Sequence, residues 1–78
     1  MLIDLAHKCK ANGYTLLAFA QREPDAGVVL IDKGTGFHRY VTWTYYAPDA
    51  SFHHGHYFDS EGRARFDFIQ RFPTAVND

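Results

Sequence analysis

Closely spaced turn signals in the middle of the chain restrict what it can fold into more than any other feature. Pro24-Asp25-Ala26-Gly27, Gly34-Thr35-Gly36 and Pro48-Asp49 divide residues 14–58 into four short segments. Proline presets φ, aspartate bonds its own backbone and glycine takes positive φ, which is why these residues favour turns. Because the connections are short, we expect neighbouring segments to pair as an antiparallel meander.

The four segments have the composition of β-strands. They are predicted at residues 14–22, 28–31, 37–46 and 52–58. The second is apolar throughout and mostly β-branched, which is typical of a strand with both faces covered. The third alternates regularly, so Val41, Trp43 and Tyr45 are expected to share one face.

Two helical segments flank the strands. In the first, Leu2, Leu5 and Cys9 recur at helical spacing and Asn12-Gly13 gives a stop signal, so a helix is predicted over residues 2–11. The second begins at a cap formed by Asp59 or Ser60 and ends at Pro73. Its apolar stripe consists of Ala64, Phe68 and Phe72.

These elements predict a single α+β domain over residues 1–78, with a four-stranded antiparallel meander sheet. Residues 1–13 contain the N-terminal helix, 14–58 the sheet, 59–73 the C-terminal helix and 74–78 a frayed tail. Both helices are expected to pack on one face of the sheet, because a small domain needs a second layer over its apolar face. The opposite face would then be open to solvent or to a partner.

Charge and cysteine content narrow the functional classes. Eight Lys and Arg against nine Asp and Glu argue against sequence-independent nucleic-acid binding, because that function needs a concentrated basic face. Cys9 is the only cysteine, so it forms no intramolecular disulfide, and a reducing compartment fits best. Apolar runs are far shorter than the ~20 residues of a membrane span. We therefore expect a cytoplasmic protein with no membrane association and no cofactor.

The histidine cluster at residues 53–56 offers two kinds of chemistry. Regular alternation would place His54 and His56 on one face, where they could share a metal ion with His38 or Asp59. We expect ordinary polar histidines on a half-buried strand instead, because nothing in the sequence demands a third ligand.

A metal-independent nuclease is the second chemical alternative. His, Tyr and Arg side chains on a sheet face could attack and stabilise a phosphodiester. The candidates are His54, His56, Arg39 and Tyr45. A small sheet-based nucleic-acid binder or nuclease therefore remains the alternative function.

The aromatic content favours a binding protein over an enzyme. Seven Phe, five Tyr and one Trp are more than one small core can hold, so some must lie on the surface. Tyr and Trp are favoured at protein interfaces, because they bury a large area and keep a polar group. The predicted contact residues are Tyr45, Tyr46, Asp49, His53 and Tyr57. The aromatic residues would be anchors, Asp49 would pair with a basic residue of the partner, and Trp43 would lie in the core.

Part of the chain, residues 37–72, resembles a pattern found in small uncharacterised proteins of bacteria, phages and plasmids. The matching residues are Tyr40-Val41-Thr42-Trp43, Gly55-His56-Tyr57-Phe58 and, in the last helix, Ala64, Asp67-Phe68 and Arg71. The resemblance implies a fold and no catalytic residues. It implies that Ala64 lets the helix approach the sheet closely and that Arg71 bonds the sheet end or nearby carboxylates.

Small proteins of mobile elements are often inhibitors of host defence, including anti-CRISPR proteins. The leading hypothesis from the sequence is therefore a non-enzymatic protein-binding module of this kind, which occludes a surface of a CRISPR effector subunit. A homodimer joined through a sheet edge or the open sheet face is a further interpretation.

Overall fold

The computed structural model describes residues 2–77 and the side chains of residues 4–71. It consists of α1 (Leu2–Ala11), β1 (Thr15–Glu23), β2 (Ala26–Asp32), β3 (Tyr40–Tyr46), β4 (Ser51–Phe58) and α2 (Glu61–Asn77), with a 3-10 turn at Ala47–Asp49. The strands pair in the order β1-β2-β3-β4, and every pair is antiparallel. The predicted α+β class and four-stranded meander are confirmed.

The two helices lie on opposite faces of the sheet, so the prediction that both pack on one face is wrong. The core under α1 contains Leu5, Cys9, Val29, Ile31, Val41 and Tyr45, and the core under α2 contains Val28, Leu30, Ala64 and Phe68. Residues 28–31 of β2 are all fully buried, and their side chains alternate between the two faces. Packing both helices on one face would have exposed two of these apolar side chains to water.

The connection between β2 and β3 is longer than predicted. Residues 33–39 form a loop, and β3 begins at Tyr40 and not at Phe37. Gly34, Gly36 and His38 all have positive φ, which an extended strand cannot accommodate. Phe37 is consequently 89% exposed and contributes nothing to either core.

The boundaries of α2 differ from the prediction at its C-terminal end. At the N-terminal end, the Ser60 hydroxyl accepts a hydrogen bond from the Arg63 N–H (3.4 Å), so Ser60 is the cap. The helix continues through Pro73 to Asn77, where a stop and a tail from residue 74 were predicted. A proline removes one backbone hydrogen bond from a helix, and here the helical backbone continues past it. Residue 78 lies outside the described residues.

Neither helix in the described part of the chain is both long and apolar enough to cross a membrane.

Tyr45→Phe is expected to raise the free energy of unfolding by about 1 kcal/mol, because Tyr45 is fully buried and its hydroxyl has no hydrogen-bond partner among the described residues. The same burial raises the pKa of the Tyr45 hydroxyl. Urea unfolding of both proteins measures the difference. A loss of more than 1 kcal/mol would contradict this account and indicate a hydrogen bond to the hydroxyl.

Candidate binding surface

Aromatic rings from β3 and β4 meet beside α1 and remain partly exposed. The Trp43 ring stacks on Phe52, with centroids 4.5 Å apart and planes 3° apart, and it meets Tyr57 edge-on at 6.1 Å. Tyr14 packs near the same indole, with centroids 6.0 Å apart. Tyr57 is 48% exposed, and the other three are half-buried. These four residues, Tyr14, Trp43, Phe52 and Tyr57, are called the aromatic surface below.

A β-bulge in β4 shapes this surface. The register between β3 and β4 shifts between Thr42 and Thr44, so that His54 and Gly55 both lie opposite Trp43. His54 takes a left-handed φ of 54°. A Cβ atom at Gly55 would lie 2.7 Å from Trp43 Nε1 and 2.8 Å from the Tyr57 ring. Only glycine therefore lets the two rings approach the backbone this closely.

Two lysines lie at opposite ends of the aromatic surface. Lys8 of α1 places its Nζ 4.8 Å from the centre of the Phe52 ring and donates a hydrogen bond to the Ala50 carbonyl. Lys33 places its Nζ 5.3 Å from the centre of the Tyr57 ring. Both ammonium groups are within range of a cation–π interaction. They give the aromatic surface a positive charge at each end.

A cavity of about 510 Å³ opens next to Tyr57. Its other lining residues are His38, Phe58, Asp59, Ser60 and Arg63. Asp59 is engaged within the protein, since one of its oxygens accepts the His38 N–H (2.9 Å) and lies 3.3 Å from His38 Nδ1. Sequence reasoning missed this cavity, because residues 37–39 were predicted to be part of β3 and not of a loop.

The structure separates the five predicted contact residues. Tyr45 is fully buried under α1, so its predicted place on a contact surface is wrong. The alternation of residues along β3 predicts the correct face of the sheet for Tyr45, but α1 covers that face. Tyr57 belongs to the aromatic surface. Tyr46, Asp49 and His53 are exposed around the β3–β4 turn, and their part in a contact stays a prediction.

Trp43 also differs from its predicted role. It was expected to lie inside the core, and the structure places it at the margin of the α1 core, half-buried and packed against the buried residues. Its indole N–H has no hydrogen-bond acceptor among the described residues and is not one of the fully buried polar atoms. The indole N–H thus lies beside Gly55 and Tyr57 within the aromatic surface.

A polar network fixes α2 to the other face of the sheet. The buried Thr42 hydroxyl donates to Asp67 Oδ2 (2.5 Å), and His56 Nδ1 lies 3.0 Å from the same oxygen. Arg71 donates to the Thr42 carbonyl (3.0 Å) and to the Thr44 hydroxyl (3.1 Å). Burial lowers the pKa of Arg71, and the neighbouring Asp67 partly offsets this effect. Arg71 thus bonds β3 at Thr42 and Thr44.

The bulge changes which histidines share a face. His53 is paired with Thr44 and His56 with Thr42, and both threonines face α2, so His53 and His56 lie on the same side. Regular alternation had predicted His54 and His56 together. His53 Nε2 lies 2.5 Å from the Ser51 hydroxyl, which lies 2.5 Å from Asp49 Oδ1.

Neither predicted chemical constellation is assembled by the structure. Among the described residues, no three His, Cys, Asp or Glu side chains lie close enough together to hold a metal ion. In the predicted nuclease set, Tyr45 is buried and Arg39 forms a two-contact ion pair with Asp32 at 2.6 and 2.8 Å. That ion pair lowers the pKa of Asp32 through its hydrogen bonds to Arg39.

Cys9 has no features of a nucleophile. It is buried on the side of α1 that faces the sheet, and burial raises the pKa of its thiol. Cys9 instead packs as a small side chain in the core between α1 and the sheet.

No protein-family model, curated protein or solved structure matches this chain. The geometry of the site itself is therefore the basis for the functional proposal.

Gly55→Ala is expected to destabilise the domain by about 1–3 kcal/mol and to alter the fluorescence of Trp43, because the added methyl group must displace the indole or the Tyr57 ring. Gly62→Ala is the matched control. Its new Cβ would meet only the Ser60 hydroxyl, at 3.6 Å, and alanine favours the helix. Equal stability and spectra for all three proteins would show that Gly55 does not set the ring positions.

Proposed function

We propose that the chain is a non-enzymatic protein-binding module of the cytoplasm that acts by covering a surface of its partner. The aromatic surface is the observation that carries this proposal. It combines a half-buried indole, whose N–H is unpaired among the described residues, with a Tyr57 ring that is 48% exposed. Large aromatic side chains of this kind are the usual anchors of protein interfaces.

The irregular edge strands of the sheet favour binding through a sheet face over binding by strand addition. β1 has register shifts between Leu16 and Ala18 and between Gln21 and Glu23, and β4 has the bulge at His54–Gly55. Bulges disrupt the regular ladder of N–H and C=O groups that an added strand would need. Strand addition, including an edge-to-edge homodimer, is therefore disfavoured at both edges.

The proposed class of partner comes from the sequence resemblance. Small proteins of phages and mobile elements include anti-CRISPR inhibitors, so the proposed partner is a subunit of a CRISPR effector. The fold is compatible with this role, because a sheet supported by a helix on each face holds its surface side chains in fixed positions. Occlusion needs only such a rigid surface and no catalytic step.

Affinity capture from host lysate tests the proposal. Wild-type protein is expected to retain a stoichiometric protein partner after nuclease treatment, identified by mass spectrometry. Tyr57→Ala should weaken binding of that partner at least tenfold, which corresponds to about 1.4 kcal/mol. Phe66→Ala is the control, because it removes another exposed ring (66%) from α2 and leaves the aromatic surface intact. Equal losses in both variants, or no protein partner, would contradict the proposal.

RNA cleavage is a second candidate function, and the placement of His53 and His56 on one face favours it. His56 Nδ1 faces Asp67, an acceptor, so this nitrogen carries the proton and Nε2 is left as a base. His53 Nε2 contacts the Ser51 hydroxyl, which donates a hydrogen bond to Asp49 Oδ1, so a carboxylate also lies behind this imidazole. Each imidazole thus has a carboxylate behind it and a second nitrogen that a substrate could reach.

This pair could act as base and acid in transesterification. One neutral imidazole would take the proton of a ribose 2′-hydroxyl as its oxygen attacks phosphorus. The second imidazole, protonated, would give its proton to the departing 5′-oxygen. The products would be a 2′,3′-cyclic phosphate and a 5′-hydroxyl, and no metal ion is required.

For this second candidate, wild-type protein is expected to cleave a fluorescent RNA in the presence of EDTA, and His53→Gln or His56→Gln should slow cleavage by 10²–10⁴-fold. His7→Gln is the control, since His7 is exposed on α1. The same oligonucleotide with 2′-deoxyribose should stay intact. Cleavage that survives both substitutions, or no cleavage at all, would exclude the mechanism.

A further inference from the structure

We infer that the segment which binds the aromatic surface is acidic, with carboxylates on both sides of an apolar side chain. The inference rests on the proposed function and adds the chemistry of the partner. It follows from which charged groups around the aromatic surface are already paired within the protein and which are not.

Three acidic side chains near the loop at residues 33–39 have partners within the protein. Asp32 pairs with Arg39, Asp59 with His38 and Glu61 with Arg65. Arg39 and Arg65 therefore offset the charges of Asp32 and Glu61, and Asp59 is engaged by the His38 backbone N–H, so all three offer less to a basic partner than a free carboxylate would. The sequence alone had favoured the opposite polarity, with Asp49 contacting a basic residue.

The cations around the same surface are unpaired. Among the described residues, Lys8, Lys33 and Arg63 have no carboxylate within salt-bridge distance. Lys8 and Lys33 lie over the rings at the two ends, and Arg63 lines the cavity that opens beside Tyr57. An ammonium group has three donors, and the one hydrogen bond from Lys8 to Ala50 leaves two of its donors available.

The centre of the surface adds apolar area and one further donor. The stacked Trp43 and Phe52 rings form a flat area, and the Trp43 N–H beside Gly55 has no hydrogen-bond acceptor among the described residues. A partner that matches this arrangement has an apolar side chain over the rings, with carboxylates that reach the two lysines. Opposite charges at the rim of an interface increase the association rate and fix the orientation.

The number of unpaired cations favours an acidic protein segment over single-stranded nucleic acid as the partner. Stacking rings beside cations can also bind bases, but tight binding needs a positively charged groove that follows several phosphates. Three unpaired cations lie around this surface, and the whole chain has a net charge of −1. A short segment with a few carboxylates matches this number better than a polyanion does.

Trp43 makes the inference directly measurable, because it is the only tryptophan and lies within the aromatic surface. We would titrate the protein with three synthetic twelve-residue peptides that share a central Leu-Phe pair and carry Glu, Gln or Lys on both sides. The Glu peptide is expected to change Trp43 fluorescence and to bind at least tenfold more tightly than the Gln peptide. Its affinity should fall as salt rises, and the Lys peptide should not bind.

Charge reversal identifies the residues responsible. Lys33→Glu and Lys8→Glu should each weaken the Glu peptide at least fivefold, and the double variant should bind the Lys peptide instead. Lys10→Glu is the matched control, because it makes the same charge change at an exposed position of α1 and should leave binding unchanged. Equal effects of the three substitutions would overturn the inference.

The remaining outcomes separate the inference from the proposed function. The inference of an acidic segment is wrong if the Glu and Gln peptides bind equally or if no peptide binds. It is also wrong if a dT12 oligonucleotide binds more tightly than the Glu peptide. If Tyr57-dependent capture of a protein partner still occurs in that case, the proposed function stands. If capture also fails, both are wrong.

Discussion

Burial of β2 on both faces is the constraint on which the rest of the structure depends. Residues 28–31 are completely inaccessible to solvent, which for a domain of 78 residues requires a cover on each side of the sheet. One helix on each face meets this requirement with the elements that the chain has. The β4 side of the α1 face remains partly uncovered, and that is where the half-buried Trp43 and Phe52 lie.

The bulge at His54–Gly55 gives the two faces of β4 different chemistry. Before it, Phe52 packs on the α1 side, and after it, Phe58 packs on the α2 side, although regular alternation would have placed both on one face. The extra residue lets Gly55 lie under the indole and brings His53 and His56 to the α2 side. One backbone irregularity therefore produces both the aromatic surface and the histidine pair.

The architecture could largely be predicted from the sequence, because strands and turns are specified by local composition and spacing. The placement of α1 could not be predicted with the same ease, although the uniformly apolar Val28-Val29-Leu30-Ile31 indicated two covered faces. Only part of the binding surface could be predicted from the sequence. Aromatic excess indicated exposed rings, but strand alternation does not show how far α1 covers its face of the sheet, so Tyr45 was assigned to the surface and Trp43 to the core. The bulge in β4 has no reliable sequence signal either, so His54 and not His53 was paired with His56.

The two candidate functions make opposite demands on the same domain. Occlusion of a partner needs a rigid surface, and the stacked rings of Trp43 and Phe52 over a bulged edge provide one. Acid–base catalysis needs two imidazoles held close to a common substrate, and His53 and His56 are both exposed on an edge strand. Water competes with every charge in such a site, so electrostatic stabilisation of a transition state would be weak there. The physical balance therefore favours binding through the α1 face over chemistry on the α2 face.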